Sequence, residues 1–309
     1  MTGFFIGHGP VVQVKNTLNQ VQVKESDVGK PIYTGPMIIM TDKNSAGASE
    51  ILAGALQDYN RAVIVGEAST FGQGTVQQPM DIGRMMPNNA ARARAGLLKV
   101  TIQKFYRPSG SSTQMEGVVS DLLLPSLMDS MEMGEAFLDH PLPHDSIRPA
   151  VDLKPLDAQS LFIQRLKELS KVRLNASKDF SYVIEDVKKA KDRLKINRRS
   201  LNKPAREKEL AESDALQKSR NAERRARFAR MGEEDKKTMS FFKLKLEDLE
   251  KKADFKPYNP ADEGGEYMRR AEDETADFHE TPKWPTGLDP VKRESIMIAC
   301  DFANMWSRK

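Results

Sequence analysis

The sequence has little that could hold a fold together covalently. Cys300 is the one cysteine among 309 residues, so no intrachain disulfide can form and packing must supply the stability. No apolar run reaches about 18 residues, which predicts no membrane-spanning helix. The first residues also lack the basic segment and long apolar run of a signal peptide. From the residues as written we expect no membrane span, no export signal and a cytoplasmic location.

A large excess of charge of one sign is also missing. The formal net charge is +4, which is too small to predict nucleic-acid binding, and we expect no nucleic-acid partner. The 4 histidines lie in loop-like segments and do not have the spacing of metal ligands. The sequence therefore predicts no metal site and no cofactor.

What the chain does have is a sharp change in charge density near residue 150. Residues 1–150 carry 12 basic and 14 acidic side chains, whereas residues 151–309 carry 36 and 30. A glycine-bearing, more apolar half is thus followed by a charge-dense half, which predicts two domains. We expect a core at 1–128, a linker at 129–159 and a mostly helical domain at 160–309.

The first half has the periodicities of a mixed α/β fold. Two period-two segments, 11–15 and 21–24, are separated by five polar-rich residues and predict a β-hairpin. Residues 36–41 and 62–66 are apolar runs of strand length, typical of strands buried on both faces. Between them, 49–59 has helical spacing, with Glu50 on the polar face. The order predicts a βαβ unit.

The junction between the first of these strands and the helix is where open α/β sheets place their functional sites. Main-chain N–H groups in the first helical turn are unpaired and lie at the positive end of the helix dipole, so they can stabilise an oxyanion. A residue at position 47 would be presented beside those donors, with the Ala48 N–H among them. The alternative is that 45–49 is only a small-residue helix start, capped by Ser45 or Ser49.

Longer stretches decide between these interpretations because they resemble the C-terminal processing, or tail-specific, serine proteases. The similarity runs in the family's order through Gly9–Val14, Ser45–Tyr59, Gly66–Glu67, Thr70–Gln78, Thr101–Arg107, Glu116–Leu122 and Leu142–Ile147. It implies the α/β core of that family followed by its helical C-terminal domain. It also implies protein or peptide substrates with apolar C-termini, and a periplasmic location.

The resemblance assigns site positions one by one. Gly47 stands where the family has its nucleophilic serine, and Gln73 stands where it has the lysine base. Gln77 matches a glutamine that helps to position that lysine, and Asp58 matches a family aspartate, although it could equally be an ordinary polar residue of the helix. A displaced nucleophile at Ser49 is disfavoured, because it lies about 200° around the helix from residue 47.

The family's glycine-rich oxyanion segment and its PDZ module lie upstream of the part equivalent to Phe5–Ile6. We therefore expect the C-terminal portion of a longer protease, inactive alone because both dyad positions are substituted. A non-catalytic peptide-binding or scaffold protein is the alternative, and a nonfunctional gene remnant is a third possibility. Partner proteins are compatible with either of the first two.

The second half predicts long helices. Apolar residues recur with helical spacing through 160–194, and 202–230 is charge-dense, with acids interleaved among its basic residues. We favour a solvated helix there over a phosphate-tracking one. Residues 253–289 predict an extended or loop segment. A last helix is expected to begin at Asp289–Pro290, with Ile296, Ala299, Phe302, Ala303 and Trp306 on its apolar face.

Overall fold

The computed structural model describes residues 1–86, 92, 94–250, 254–258 and 281–308. The chain divides into two compact units, one formed by residues 1–195 and 294–309 and the other by 196–293. The first unit is a mixed α/β structure that continues into helices, as the sequence predicts. Its elements through the sheets are α1 (Gly3–Ile6), β1 (Gly9–Asn16), β2 (Val21–Ser26), β3 (Ile38–Thr41), α2 (Ala48–Asp58), β4 (Val63–Gly66), β5 (Thr75–Asp81), β6 (Leu97–Tyr106) and β7 (Leu122–Leu123).

The predicted hairpin and βαβ unit are both present. Strands β1 and β2 pair antiparallel, with Lys15 opposite Val21, and they belong to a four-stranded sheet of order β2-β1-β6-β5. Strands β3 and β4 pair in parallel around helix α2, within a three-stranded sheet of order β3-β4-β7. The pairing of β5 with β6 joins the segments on either side of residues 82–96.

The expectation that both parallel strands are buried on two faces holds only for β4. All four residues of β4 are buried, whereas Met40 in β3 is 47% exposed. The physical reason is position, since β4 is the central strand and β3 lies at the edge of its sheet. The core of this region gathers Ala53 of α2, Ile64 of β4 and Val118, with Ile39 of β3 packed against it.

Helices follow the sheets, as the charge pattern predicts. Helix α3 (Ile163–Ala176) packs near β7, and its Arg173 forms ion pairs with Glu294 at 2.9 Å and Asp301 at 2.7 Å in the last helix. The remaining elements are α3 (Ile163–Ala176), α4 (Lys178–Ile196), α5 (Lys203–Thr238), β8 (Phe242–Lys243), α6 (Leu246–Glu250), β9 (Lys256–Pro257) and α7 (Pro290–Trp306). Short 3-10 helices lie at Ile82–Met85, Leu127–Ser130, Glu135–Phe137, Ala158–Leu161 and Pro285–Gly287.

Two helices of this half differ in how well their faces were predicted. Helix α5 carries acid–base pairs at helical spacing, such as Arg227 with Glu223 at 2.7 Å, as expected for a solvated helix. The predicted face of α7 is partly wrong, because Ile298 is buried while Ile296 and Ala303 are exposed. The acids Glu294 and Asp301 on α7 form ion pairs with Arg173 on α3. These ion pairs fix the rotation of α7, so its buried face differs from the one that its apolar residues alone favour. Of residues 253–289, those at 253 and 259–280 lie outside the described residues.

Candidate active site

The site begins in the turn between β3 and α2. Asp42 organises this turn, because its carboxylate accepts hydrogen bonds from the Ser45 hydroxyl at 2.9 Å and from the Asn44 N–H at 3.1 Å. The turn ends at Gly47, whose φ of 59° and ψ of −111° are strained for any residue with a Cβ atom. Hydrolases with a serine on a sharp strand-to-helix turn place that serine in strained backbone of this kind. Glycine adopts it freely.

Gly47 and Gln73 face each other. A Cβ atom on Gly47 would lie 3.1 Å from Oε1 and 3.7 Å from Cδ of Gln73. The Gln73 amide also donates to the Thr75 carbonyl at 3.4 Å. Two residues that are 26 positions apart in the sequence therefore lie next to each other in space.

Glu50 holds the two halves of this site together. Its side chain is fully buried, at 0% exposure, and its carboxylate accepts from the main-chain N–H groups of Gly47 at 2.9 Å, Gly72 at 2.7 Å and Gln73 at 2.9 Å. The Thr70 hydroxyl donates to the same carboxylate at 2.5 Å. Burial raises the pKa of Glu50 above its ordinary value, against the opposing effect of these donors.

The loop that carries Gln73 is fixed from its other side as well. The Thr113 hydroxyl donates to the Gln73 carbonyl at 2.7 Å, and the Gly74 N–H donates to Oε1 of Gln114 at 2.9 Å. Gln114 is fully buried and donates through Nε2 to Glu135 at 3.0 Å. The position of residue 73 is thus set by hydrogen bonds on both sides of its loop.

Helix α2 supplies the donors expected of an oxyanion site. Ala48 is its first residue and is exposed, and within the described residues its N–H has no hydrogen-bond acceptor. Ser49 is exposed too, one position further along the helix. Lys43 is turned to a different part of the fold, where its ammonium donates to the carbonyls of Met128 at 3.1 Å and Met131 at 3.3 Å.

Two of the predicted site residues lie apart from this cluster. Asp58 is at the far end of α2, about 15 Å away at 1.5 Å per residue. Its carboxylate accepts from Arg107 at 2.5 Å and from the Ser109 N–H at 2.9 Å, with 7% of its side chain exposed. Gln77 is exposed on β5, opposite Thr101 of β6. The structure therefore brings together positions 47, 48 and 73, with Asp58 in a buried ion pair elsewhere.

The chemistry open to these groups follows from their side chains. Glycine offers no nucleophile, and the amide of Gln73 donates and accepts hydrogen bonds but takes no proton near neutral pH. No group of three or more metal-ligating side chains occurs among the described residues. Nor does any described helix have the length and apolar character needed to cross a membrane.

Sequence reasoning missed four residues that build this site: Glu50, Thr70, Thr113 and Gln114. Only Glu50 had a signal, because an acid at the third helical position commonly accepts from the residue before the helix. That signal predicts the bond to Gly47 and an exposed side chain. The prediction that Glu50 lies on a polar face is wrong, since the loop 70–73 folds over the carboxylate and satisfies it internally.

Comparison with known proteins places these observations in a family. Residues 1–124 match Peptidase family S41, and residues 128–304 match the C-terminal domain of tail specific protease. The tail-specific protease of Haemophilus influenzae is 36% identical over 217 residues, covering 70% of this chain and 31% of that protein. The carboxy-terminal processing protease CtpB of Bacillus subtilis is 31% identical over 167 residues, covering 53% and 30%.

The chain thus spans about a third of the length of these relatives. Among solved structures, the photosystem II D1 C-terminal processing protease matches 40% of this chain and 29% of its own, with 27% identity and a TM-score of 0.34. The two sequence matches together extend from residue 1 to residue 304, and the second alone takes in more than half of the chain. The chain belongs to the tail-specific, or C-terminal processing, protease family.

Proposed function

We propose that this chain retains the active-site loops of a carboxy-terminal processing serine endopeptidase without the Ser/Lys dyad that would cut peptide bonds. The observation that carries the proposal is the approach of Gly47 to Gln73, at 3.1 Å from a Cβ position to Oε1. The two positions meet as a nucleophile and a base would, yet neither side chain can do that chemistry. The chain is a part of such a protease and does not hydrolyse peptides alone.

Incubation with an unstructured protein that ends in an apolar tail tests the inactivity. We expect no new fragments by mass spectrometry at any time point. Cleavage that disappears in a Ser45→Ala, Ser49→Ala variant would overturn the proposal, because it would identify a displaced nucleophile.

A double reversion tests the assignment of the two positions. Gly47→Ser with Gln73→Lys, joined to the upstream segment of the Haemophilus relative, is expected to gain hydrolysis of the same substrate, whereas Gly47→Ser alone is not. A lysine placed beside the serine can take its proton only if its own pKa is lowered by the surroundings. Failure of the folded double variant would show that the assignment is wrong.

Peptide binding without cleavage is the second candidate, and the sheet order favours it. Strand β5 is an edge strand that begins two positions after Gln73, with Gln77 to Asp81 exposed. An extended peptide can add to such an edge through main-chain hydrogen bonds. Fluorescence anisotropy with a peptide ending in apolar residues is expected to show saturable binding. A peptide N-methylated at alternate residues, which lacks the needed donors, is expected not to bind.

The remaining assignments rest on the family and on charge density. We infer a partial protease core at 1–128, a linker at 129–159 and a helical domain at 160–309, with proteins as substrates or partners. We further infer a periplasmic location for the full-length protein. Limited proteolysis tests the bounds, because first cuts within 129–159 are expected, and cell fractionation tests the location.

A further inference from the structure

A cavity lies at the other end of α2 from Gly47. Its volume is about 580 Å³, within the usual range for small-molecule sites. Apolar surface dominates its lining, contributed by Phe5, Ile6, Pro31 and Leu156. Arg61, which follows α2, also lines it.

Arg61 is unusual because it is a buried cation without an acidic partner. Its side chain belongs to a residue that is only 5% exposed. Nε donates to the Phe5 carbonyl at 3.1 Å, and Nη2 donates to the Tyr33 carbonyl at 2.8 Å. Within the described part of the chain, Nη1 has no acceptor and no carboxylate forms an ion pair with the guanidinium.

Neutral groups near Arg61 offset little of this charge. Two carbonyls and the C-terminal end of α2 provide partial negative charge, and the Tyr33 ring lies 5.5 Å from the guanidinium carbon. Tyr59 cannot serve as a counter-ion, because burial first and then nearby acids raise its pKa to about 12 and keep the phenol neutral. Burial also lowers the pKa of Arg61. A buried charge that lacks a counter-ion is costly, so an anion bound here would be stabilised.

The edge of the cavity carries no excess of negative charge that would repel an anion. Lys154 and one acid, Asp152, line it as exposed side chains, and their formal charges balance. The acid faces solvent and has no ion pair with Arg61 within the described residues. A ligand that enters between these groups meets apolar walls and a guanidinium, whose planar donors suit a carboxylate.

We propose that this cavity binds a monocarboxylate with a compact apolar body, with Arg61 as the carboxylate-binding residue and Phe5, Ile6, Pro31 and Leu156 around the apolar part. The ligand is either a free medium-chain acid or the carboxyl end of an apolar peptide. The site is independent of the Gly47–Gln73 cluster, which lies at the opposite end of α2, so its occupancy does not require the proposed function to hold.

Calorimetric titration of the full chain at pH 7 tests the proposal with two acids and their neutral counterparts. Octanoate and N-acetyl-Leu-Ala-Ala are the acids, and octanamide and the peptide amide are the controls. We expect saturable one-to-one binding of at least one acid, with its amide at least about tenfold weaker, because a charge-assisted hydrogen bond is lost. Whether octanoate, the peptide or both bind identifies the source of the carboxylate.

Variants of the protein locate the binding. Arg61→Gln is expected to weaken binding of the acid by at least about tenfold. Arg84→Gln, which removes the same charge from a side chain that is 87% exposed, is expected to leave it unchanged. If circular dichroism shows that Arg61→Gln is unfolded, Leu156→Trp provides the second test, because an indole there fills the cavity while keeping Arg61.

Three results would overturn the proposal: neither acid binds saturably, acid and amide bind equally, or the folded cavity variant binds as the unaltered chain does.

Discussion

Gly47 and Gln73 face each other so closely that a single added carbon at Gly47 would lie 3.1 Å from the Gln73 carboxamide oxygen. The backbone of Gly47 has a φ of 59°, which glycine alone adopts without strain. Both features arise because Glu50 accepts from the N–H of each residue and fixes the turn and the loop against one another. The geometry of the site is therefore maintained by hydrogen bonds from main-chain N–H groups to the Glu50 carboxylate, in which the side chain of residue 73 takes no part.

Substitution of Gly47 by alanine is expected to destabilise the first unit by about 1–3 kcal/mol, because the Cβ atom is both strained and close to Gln73. Gly96→Ala is the matched control, since Gly96 also has a positive φ, of 71°, but a Cβ atom there meets nothing within 4 Å. Urea unfolding followed by circular dichroism measures both. Adding Gln73→Ala should restore part of the loss in the Gly47 variant and none in the Gly96 variant. If Gly47→Ala and Gly96→Ala lower the free energy of unfolding by the same amount, with or without Gln73→Ala, the close approach of residues 47 and 73 would be contradicted.

Removal of the Glu50 carboxylate is expected to be more damaging. Glu50→Ala leaves the N–H groups of Gly47, Gly72 and Gln73 and the Thr70 hydroxyl without their buried acceptor, so we expect a loss of about 3 kcal/mol or more. Thr70→Val removes one of these donors and also leaves the Val118 N–H without its acceptor, the Thr70 hydroxyl at 2.7 Å, so it should cost about 2 kcal/mol. The comparison uses the same urea transitions. An alanine variant as stable as the unaltered chain would mean that the loop 70–73 is not held by this carboxylate.

The pH dependence of stability should carry a signature of Glu50. Its folded pKa is raised above the ordinary value of 4.5, chiefly by burial. A raised pKa means that the folded state binds the proton more tightly than the unfolded state. The stability that this tighter proton binding contributes is therefore fully present below about pH 4.5 and is lost as the pH rises through the folded pKa. Relative to Glu50→Gln, which does not titrate, the unaltered chain should lose stability across that window. A constant difference between the two would show that the pKa is not raised.

The parts of the fold that follow from local chemistry were predictable. The hairpin has alternating residues on either side of a short polar turn, and the βαβ unit has apolar runs around a helical stripe, so periodicity alone determines both. Helix α2 begins at Ala48, within one residue of the prediction. Positions 47 and 73 were expected to lie together because the motif resemblance, rather than any spacing, predicts that two distant segments share a site, and the two residues are adjacent in the structure.

The predictions that were wrong concern features that depend on contacts between residues far apart in the sequence. Glu50 has the polar character of a surface residue, yet its burial is determined by a loop that returns 20 residues later. The face of α7 was predicted from its apolar residues, whereas Arg173 on α3 draws Glu294 and Asp301 towards it. Periodicity describes one segment at a time and holds no information about such partners.

Two buried serine hydroxyls in α3 and α7 lead to a prediction of increased, rather than decreased, stability on substitution. Ser170 in α3 is 3% exposed and Ser295 in α7 is 1% exposed, and within the described residues neither Oγ has a hydrogen-bond partner. A buried hydroxyl without a partner retains its desolvation cost, so Ser170→Ala and Ser295→Ala should each stabilise the first unit by about 1 kcal/mol. Ser181→Ala is the control, because its Oγ donates to the Lys178 carbonyl at 2.7 Å at an exposed position and little change is expected.

Thermal unfolding followed by circular dichroism at 222 nm shows whether each substitution raises or lowers the melting temperature. If the melting temperature falls in Ser170→Ala and Ser295→Ala, both hydroxyls must be hydrogen-bonded in solution, and the packing of α3 beside α7 must differ from that described above. A rise in both is the expected result. The two serines share no hydrogen bond within the described residues, so each substitution should remove the desolvation cost of its own hydroxyl.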